Sequence, residues 1–590
     1  MNKRILVAMA ALAVSISMAG CGQAADQSED PASVSVSAPV PDTSRHYLTV
    51  DDVSLQDSEV VYMDDDETSV VTMYLTVSRG NEADNTDHTW AEVNGHSIYY
   101  YEEYGIERYG VEGILQVGDE SGPIPGNFGY AEFAPNCTVT IRGATSSRHP
   151  QKSYKISINK NEGYWREQRV INLNKHVYDS VRFRNKLSYD LLKTIPNAFS
   201  ARTQFVHLYV KDLTTGNTQA QFEDYGLYTQ VEQFNKAYLR NHGLDENGQL
   251  YKARRMEFYR YADNIKLTSD PTYDLNAFEQ ILEVKGNEDH SKLIAMLDDV
   301  NNLSMPIQDT FQKYFDEENY FTWMAFQILT GNEDTASQNF YLYSPQNGSK
   351  FYFISWDNDS AWAYEQKIRY EGNCGDYNYE SGISNYWGAV LHQRVLRVPE
   401  YREKLDAKME ELYEMITPEQ VAEMVREYSA VTFPYMSRMP DQMCLRLSMD
   451  HMEQVLELIP WEMENRYRLY KESLSRPMPF FLGEPVSNGT EITFQWDTAY
   501  DFDNEGVTYT FELATDYLFQ NMLDKQSGLV FATTTTKNLI PGQYFWRVTA
   551  TNESGKTQTA MEYYVDREYN KHYGIMCINV LLDGTIQRVI

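Results

Sequence analysis

An apolar run over residues 311–330, carrying Phe315, Tyr320, Trp323, Met324, Ile328 and Leu329, stops at Gly331-Asn332. A stripe this continuous predicts one long buried helix, and glycine followed by asparagine is a normal helix stop. A polar stretch from Glu333 to Asn339 follows. Then come two further apolar runs, Phe340 to Tyr343 and Phe351 to Trp356, the second ending on Asp357-Asn358-Asp359. Short runs of this kind read as buried strands. The fold is therefore obliged to set Asp334, Asn339 and Asp357 at the ends of core elements. A carboxylate there is costly without a partner. A metal ion is a natural partner, and the Asn339 amide oxygen is a hard ligand suited to Mg2+. Asp359 either joins such a site or caps the next turn.

The order of these groups carries chemistry. Kinases place one aspartate to accept a substrate hydroxyl proton, then an asparagine and a later aspartate to hold the metal ions on the nucleotide phosphates. Asp334, Asn339 and Asp357 stand in that order. On its own, D-x-x-x-x-N is equally a capping aspartate and a turn asparagine. Upstream, Arg142-Gly143-Ala144-Thr145-Ser146-Ser147 suits a turn near phosphates, which Lys152 or Lys155 would reach as a point charge. Strand alternation puts Lys152 and Tyr154 on one face and Lys155 on the other. The plain alternative is a solvated basic strand.

The chain has 590 residues, too many for one core, so two or three domains are expected. Residues 1–21 read as a targeting segment. Lys3 and Arg4 precede an apolar run too short to span a bilayer, and Met18-Ala19-Gly20-Cys21 looks like a lipobox with Cys21 as the lipidated residue. Residues 22–43 read as a flexible linker. Residues 44–475 form the main domain, its first part (44–135) rich in strand alternation, with helices at 182–194 and, after Thr417-Pro418, through 449–474. Residues 476–570 alternate cleanly, as in Ile492 to Trp496 and Tyr544 to Ala550, and resemble a fibronectin III or Ig-like β-sandwich with Trp496 and Trp546 in its core. Residues 571–590 are a tail or an added strand. The scattered cysteines Cys137, Cys374, Cys444 and Cys577 include no zinc spacing. The formal charge of −34 excludes general affinity for nucleic acid or anionic lipid.

Taken together, the motifs resemble the spore-coat CotH family, whose members look like divergent protein kinases. The matching pieces are Arg142-Gly143 with Ser146-Ser147 and Lys152-Ser153-Tyr154; Asp179-Ser180 with Arg184-Asn185-Lys186-Leu187; Tyr225-Gly226-Leu227-Tyr228 with Val231-Glu232; Gly331-Asn332 with Asp334 and Asn339; and Trp356-Asp357-Asn358-Asp359. The resemblance implies an α+β fold, a divergent two-lobed protein-kinase-like domain followed by the β-sandwich. It implies Asp334 as the catalytic residue, Asp357, Asn339 and Asp359 as metal ligands, Lys152 as a phosphate contact on the cofactor side, and Arg142 and Glu232 as residues that make either nucleotide or lobe-bracing contacts. The expected cofactors are ATP and Mg2+ or Mn2+. The expected partners are a surface or coat protein substrate, the membrane through a lipid anchor on Cys21 at the outer face of the bacterial cell membrane, and a glycan or cell-wall ligand for the C-terminal domain. The competing expectation is a non-catalytic surface scaffold or binding lipoprotein. A metal-dependent glycosidase or esterase has paired carboxylates in its favour but no G-x-S-x-G or H-E-x-x-H.

Overall fold

The structure is a computed structural model that describes residues 51, 53–370, 379, 381–568 and 570–589. The expected leader with Cys21, the linker 22–43 and Cys374 lie outside the described residues. Among the described residues, no helix is long and apolar enough to cross a membrane. The chain is α+β.

Eight strands build the first sheet: β1 (Val70–Ser78), β2 (Gly110–Asp119), β3 (Gly122–Pro123), β4 (Cys137–Arg142), β5 (Ser153–Ile158), β6 (Val170–Asn174), β7 (Thr203–Asp212) and β8 (Glu223–Glu232). Their order is β1-β7-β8-β6-β5-β4-β2-β3, and β1 also pairs with β2, so the sheet closes into a barrel. Closure leaves no long edge open. β1 and β7 are parallel; every other pair is antiparallel. Alternation decides which side chains fill the interior. In β4, Cys137, Val139 and Ile141 are buried while Thr138, Thr140 and Arg142 are half-buried. They meet Leu75, Leu115, Ile156, Leu173 and Leu208 in one core. The segment before residue 135 is thus part of the same sheet as the rest. It also holds two short helices among the expected strands, Trp90–Gly95 and Ile98–Tyr104, the first started by a Thr89/Glu92 capping box.

The second layer is the antiparallel sheet β9 (Gln249–Ala253), β10 (Leu282–Val284), β11 (Phe340–Ser344) and β12 (Tyr352–Ser355), in the order β10-β9-β11-β12. Helix Glu317–Thr330 is buried from Asn319 to its end. The long helix expected over 311–330 is in fact two. Ile307–Tyr314 ends at Phe315, which bridges to Phe351, and Asp316 starts the second helix by accepting from the Asn319 N–H at 2.9 Å. The helical stretch 449–474 is broken in the same way at Ile459-Pro460-Trp461, where proline cannot continue the first helix.

The C-terminal strands are β13 (Val486–Ser487), β14 (Glu491–Gln495), β15 (Thr508–Ala514), β16 (Met522–Leu529), β17 (Thr533–Lys537), β18 (Gly542–Thr551), β19 (Thr557–Thr559), β20 (Tyr563–Val565), β21 (Lys571–Tyr573), β22 (Ile575–Val580) and β23 (Ile586–Val589). They form a three-stranded sheet (β13-β14-β17), a six-stranded sheet (β16-β15-β18-β22-β23, with β19 on β18) and the hairpin β20–β21. Phe494, Trp496, Phe511, Trp546 and Ile578 share one core. Met478 and Met561 instead enter the main core with helix Glu317–Thr330. The Trp387 ring lies 5.5 Å from those of both Tyr500 and Phe502.

Candidate active site

Two polar loops are locked together under the end of helix Glu317–Thr330. Gly331 takes φ +66° and closes the helix, with the Asn332 N–H donating to the Gln327 carbonyl at 3.0 Å. A Cβ on Gly331 would stand 2.3 Å from Arg466 Nε. The Asn332 amide then donates to Asn358 Oδ1 at 3.0 Å and accepts from Ser360 Oγ at 2.8 Å. It therefore joins the loop bearing Asp334 to the loop bearing Asp357 and Asp359. Glu333 is turned away and bound by Lys367 at 2.6 Å and Arg466 at 2.9 Å. Opposite charges on both sides outweigh burial and hold its acid down to about 2. Asp334, next in sequence, faces the cavity.

Strand register brings Asn339 and Asp357 to one end of the β11–β12 pair. Phe340 is opposite Ser355, and the Trp356 N–H donates to the Asn339 carbonyl at 3.1 Å. Both residues have left-handed backbone, φ +58° for Asn339 and +56° for Asp357, a conformation that asparagine and aspartate tolerate better than most residues. His176, at φ +48°, lies beside them, with Nδ1 3.5 Å from Asp359 Oδ2.

Asp334, Asn339, Asp357 and Asp359 all line one cavity of about 390 Å³. Its other wall is Arg142, Gly143, Ala144, Thr145 and Ser146, the turn from β4 to β5. Gly143 takes φ +86°, and a Cβ there would lie 2.1 Å from Ser146 Oγ. Arg142 stacks over Trp356 at 5.9 Å. Burial lowers its pKa, although Asp357 pulls the other way. Burial, and then the neighbouring Asp359 carboxylate, raise the Asp357 acid to about 6 against the attraction of Lys252, His176 and Arg142. Asp334 is exposed at the cavity, yet the protein crowded around its carboxyl and the nearby Asp359 and Glu333 carboxylates raise it, opposed chiefly by Lys367.

Lys152 and Glu232 do not line this cavity. Lys152 is not on the cavity wall; its Nζ donates to the Ser147 carbonyl at 2.5 Å and braces the 143–148 turn from behind. Glu232 is held by Arg202 (2.7 and 3.1 Å) and His242 (3.1 Å), away from the cavity. Residues the motifs did not single out as site groups do line it: His176, Tyr178, Arg184, Gln366, Lys367 and Arg446. Arg184 has one trace in the sequence, because Asp179 five residues before it accepts from its backbone N–H at 2.8 Å and pairs with its guanidinium at 3.1 Å. The others follow from tertiary folding alone.

Among the described residues, no three His, Cys, Asp or Glu side chains converge into an all-protein metal cage. The oxygen set fits a different arrangement. The Asp357 carboxylate has no hydrogen bond or ion pair among the described residues, and a second carboxylate stands beside it. One or two carboxylates plus an amide oxygen, completed by phosphate oxygens, is how Mg2+ is commonly held.

No curated protein matches this chain. Residues 139–470, more than half of the 590, match the model of the CotH kinase protein family, and the chain belongs to that family.

Proposed function

We propose that the protein is an extracytoplasmic atypical protein kinase that moves the γ-phosphoryl group of ATP to a Ser, Thr or Tyr hydroxyl of a surface or coat protein. The observation that carries this reading is the single cavity walled by Asp334, Asn339, Asp357 and Asp359 on one side and by the Gly143 turn on the other. The barrel and the helix-rich part containing β9–β12 act as the two lobes of a kinase-like domain, and the cavity takes residues from both. Asp357 and Asp359, with the Asn339 amide, would hold Mg2+ or Mn2+, which neutralises charge on the phosphates. The turn after Arg142 offers backbone N–H groups and the Thr145 and Ser146 hydroxyls to phosphate oxygens. Asp334 orients the acceptor hydroxyl and takes its proton. Catalysis then rests on positioning and on a preset field. Lys152 acts on the phosphates only through the turn it braces, and Arg142 is the cation nearest to Asp357 on that wall.

Cys21 anchors the mature chain to the outer face of the membrane through a lipid. The C-terminal sheets act as a fibronectin-like β-sandwich that binds a glycan or a cell-wall protein. The scaffold reading draws on one observation, that Lys152 and Glu232 are engaged outside the cavity.

Incubation of the full chain with labelled ATP and Mg2+ tests the proposal. Label should appear on the protein and vanish in Asp334→Ala and Asp357→Ala. In parallel, ATP with Mg2+ at a hundred times Kd should add about 2.7 kcal/mol of stability. Equal labelling in wild type and both variants refutes the assignment, and no thermal shift with any nucleotide favours the scaffold.

A further inference from the structure

The family match ends at residue 470, yet the chain beyond it completes a second cavity, of about 620 Å³, that shares no lining residue with the first. That volume is within the range of small-ligand sites, roughly 300–1,000 Å³. Short contacts hold its walls in place. The Val390 N–H donates to the Glu257 carbonyl at 2.9 Å, which sets helix Val390–Leu396 against the segment carrying Tyr259. Arg394 on that helix donates to the Val300 and Met305 carbonyls at 2.5 and 2.6 Å and fixes the loop bearing Leu303. In the C-terminal part, the Asp497 N–H donates to the Phe481 carbonyl at 2.9 Å, so a carboxylate and a ring reach the cavity together.

The lining joins open rings to polar groups with unused hydrogen-bonding capacity. Tyr259 is 44% exposed and Phe481 41%, and both face the cavity. Asn301 directs its amide hydrogens to the Phe258 and Leu297 carbonyls, at 2.9 and 2.8 Å, which fixes the side chain and leaves Oδ1 without a partner among the described residues. Gln393 likewise donates to the Trp387 carbonyl at 3.3 Å, and its Oε1 accepts from none of the described residues. Arg397 lies over the rings of Trp387 and Tyr500, at 5.4 and 5.1 Å, with no ion pair among the described residues. The exposed Asp497 carboxylate has no hydrogen bond or ion pair among them either.

We propose that this cavity binds a neutral glycan, with a pyranose ring against Phe481 and Tyr259 and its hydroxyls shared among Asp497, Arg397, Asn301 and Gln393. A pyranose has an apolar face of C–H groups, which suits an aromatic ring, and a rim of hydroxyls that both donate and accept. The cavity supplies acceptors on Asp497, Asn301 and Gln393 and donors on Arg397. The two unpaired charges, on Asp497 and Arg397, offset each other, so an ionic ligand gains little there. A chain of net charge −34 also repels polyanions at long range, whereas a neutral sugar meets no such barrier. The proposal rests on the glycan role given above to the C-terminal sheets, which it narrows to one place, and it is independent of phosphoryl transfer.

Isothermal titration calorimetry of the full chain with cellohexaose and with the N-acetylglucosamine hexamer tests it. At least one sugar should bind with Kd below about 1 mM. Phe481→Ala and Tyr259→Ala should each weaken binding at least about fivefold, and Asp497→Asn about three- to tenfold, with Phe481→Tyr near wild type. Asp497 is exposed, so its variant probes the site without disturbing the core. Preference for the N-acetylglucosamine hexamer supports the proposal with an amino-sugar wall polymer as the source; preference for cellohexaose supports it with a plain hexose polymer. A Kd unchanged in Phe481→Ala, Tyr259→Ala and Asp497→Asn overturns the site and leaves a glycan role elsewhere on the C-terminal sheets. No binding by either sugar overturns the site and the glycan role together, and leaves a protein as the partner.

Discussion

The Lys175 ammonium lies 2.6 Å from the Asp441 carboxylate, and both side chains are closed off from solvent. Lys175 follows β6 and also donates to the Tyr225 and Leu227 carbonyls at 2.6 and 3.0 Å, while Asp441 accepts from the Leu227 N–H at 2.8 Å. The pair thus ties the barrel to the 3-10 turn Asp441–Cys444. It also fixes the residue next to Lys175, His176, on the cavity wall.

Breaking that tie should be expensive. Removing one member of a buried pair leaves an uncompensated charge, so Asp441→Ala is expected to cost about 3–5 kcal/mol in urea unfolding. Gly226→Ala should act through the same contact, because its φ is +74° and a Cβ would lie 2.2 Å from Asp441 Oδ2. The double variant should then lose clearly less than the sum of the singles. Additive losses would show that the two positions act independently.

Gly143→Ala separates the turn from the fold around it. The added Cβ collides with Ser146 Oγ in a backbone region that alanine resists. Stability to heat without ligand should fall only by the local strain, about 1–2 kcal/mol, since the turn lines a cavity rather than a core. The stabilisation by ATP with Mg2+ should fall by most of its wild-type value. A retained shift would place the phosphates elsewhere.

Asp357→Asn should stabilise the protein in the absence of divalent cations while abolishing labelling. The folded acid sits near 6, above its ordinary value of 3.8. A raised carboxylate binds more protons when folded, so its contribution to stability is fully present below about pH 4 and is lost as pH rises through about 6. Wild type should therefore be less stable than Asp357→Asn at pH 8, by about 2–3 kcal/mol, and the gap should close near pH 4. Mg2+ with ATP should close it at pH 8. A lower melting temperature for Asp357→Asn at pH 8 would contradict this account.

Glu232 should behave as a brace. Burial would depress His242, but Glu232 and Asp57 overcome it and raise the imidazolium to about 9. That stabilisation is fully present below about pH 6.5 and is lost as pH rises through about 9. Glu232→Gln leaves Arg202 and His242 partly unpaired and should cost about 3–5 kcal/mol at pH 6. Nucleotide affinity of the folded fraction should stay within about twofold of wild type, since Glu232 does not touch the cavity. A selective loss of nucleotide binding at unchanged stability would restore a direct role for it.

Local signals in the sequence were informative where local chemistry decides the outcome. Gly331 as a helix stop, Thr417 as a cap, and the alternation in β4, β5, β14 and β18 all have their cause within a few residues. That Asp334, Asn339 and Asp357 share one cavity wall follows from the apolar runs on either side, which set their places. The break at Asp316 was missed because the apolar stripe continues through it; the signal was one capping carboxylate among aromatic residues. The capping box at Thr89 and Glu92 was readable and was hidden by strand-like neighbours. For Lys152, alternation gives the face of the side chain but not the length of its reach, and its Nζ meets the Ser147 carbonyl. The parallel pairing of β1 with β7 has no local trace, since it joins residues more than a hundred positions apart. His176, Gln366 and Arg446 were invisible for the same reason.

Closure of the barrel bears on how the gene can be divided. A fragment trimmed to residues 139–470 would lack β1, β2 and β3, baring the flank of β7 and the flank of β4. It would also strip Met478 and Met561 from the hydrophobic interior. Such a piece should precipitate or pair with itself through its open edges. Soluble material is to be expected only when the polypeptide starts ahead of Val70 and runs past Tyr573.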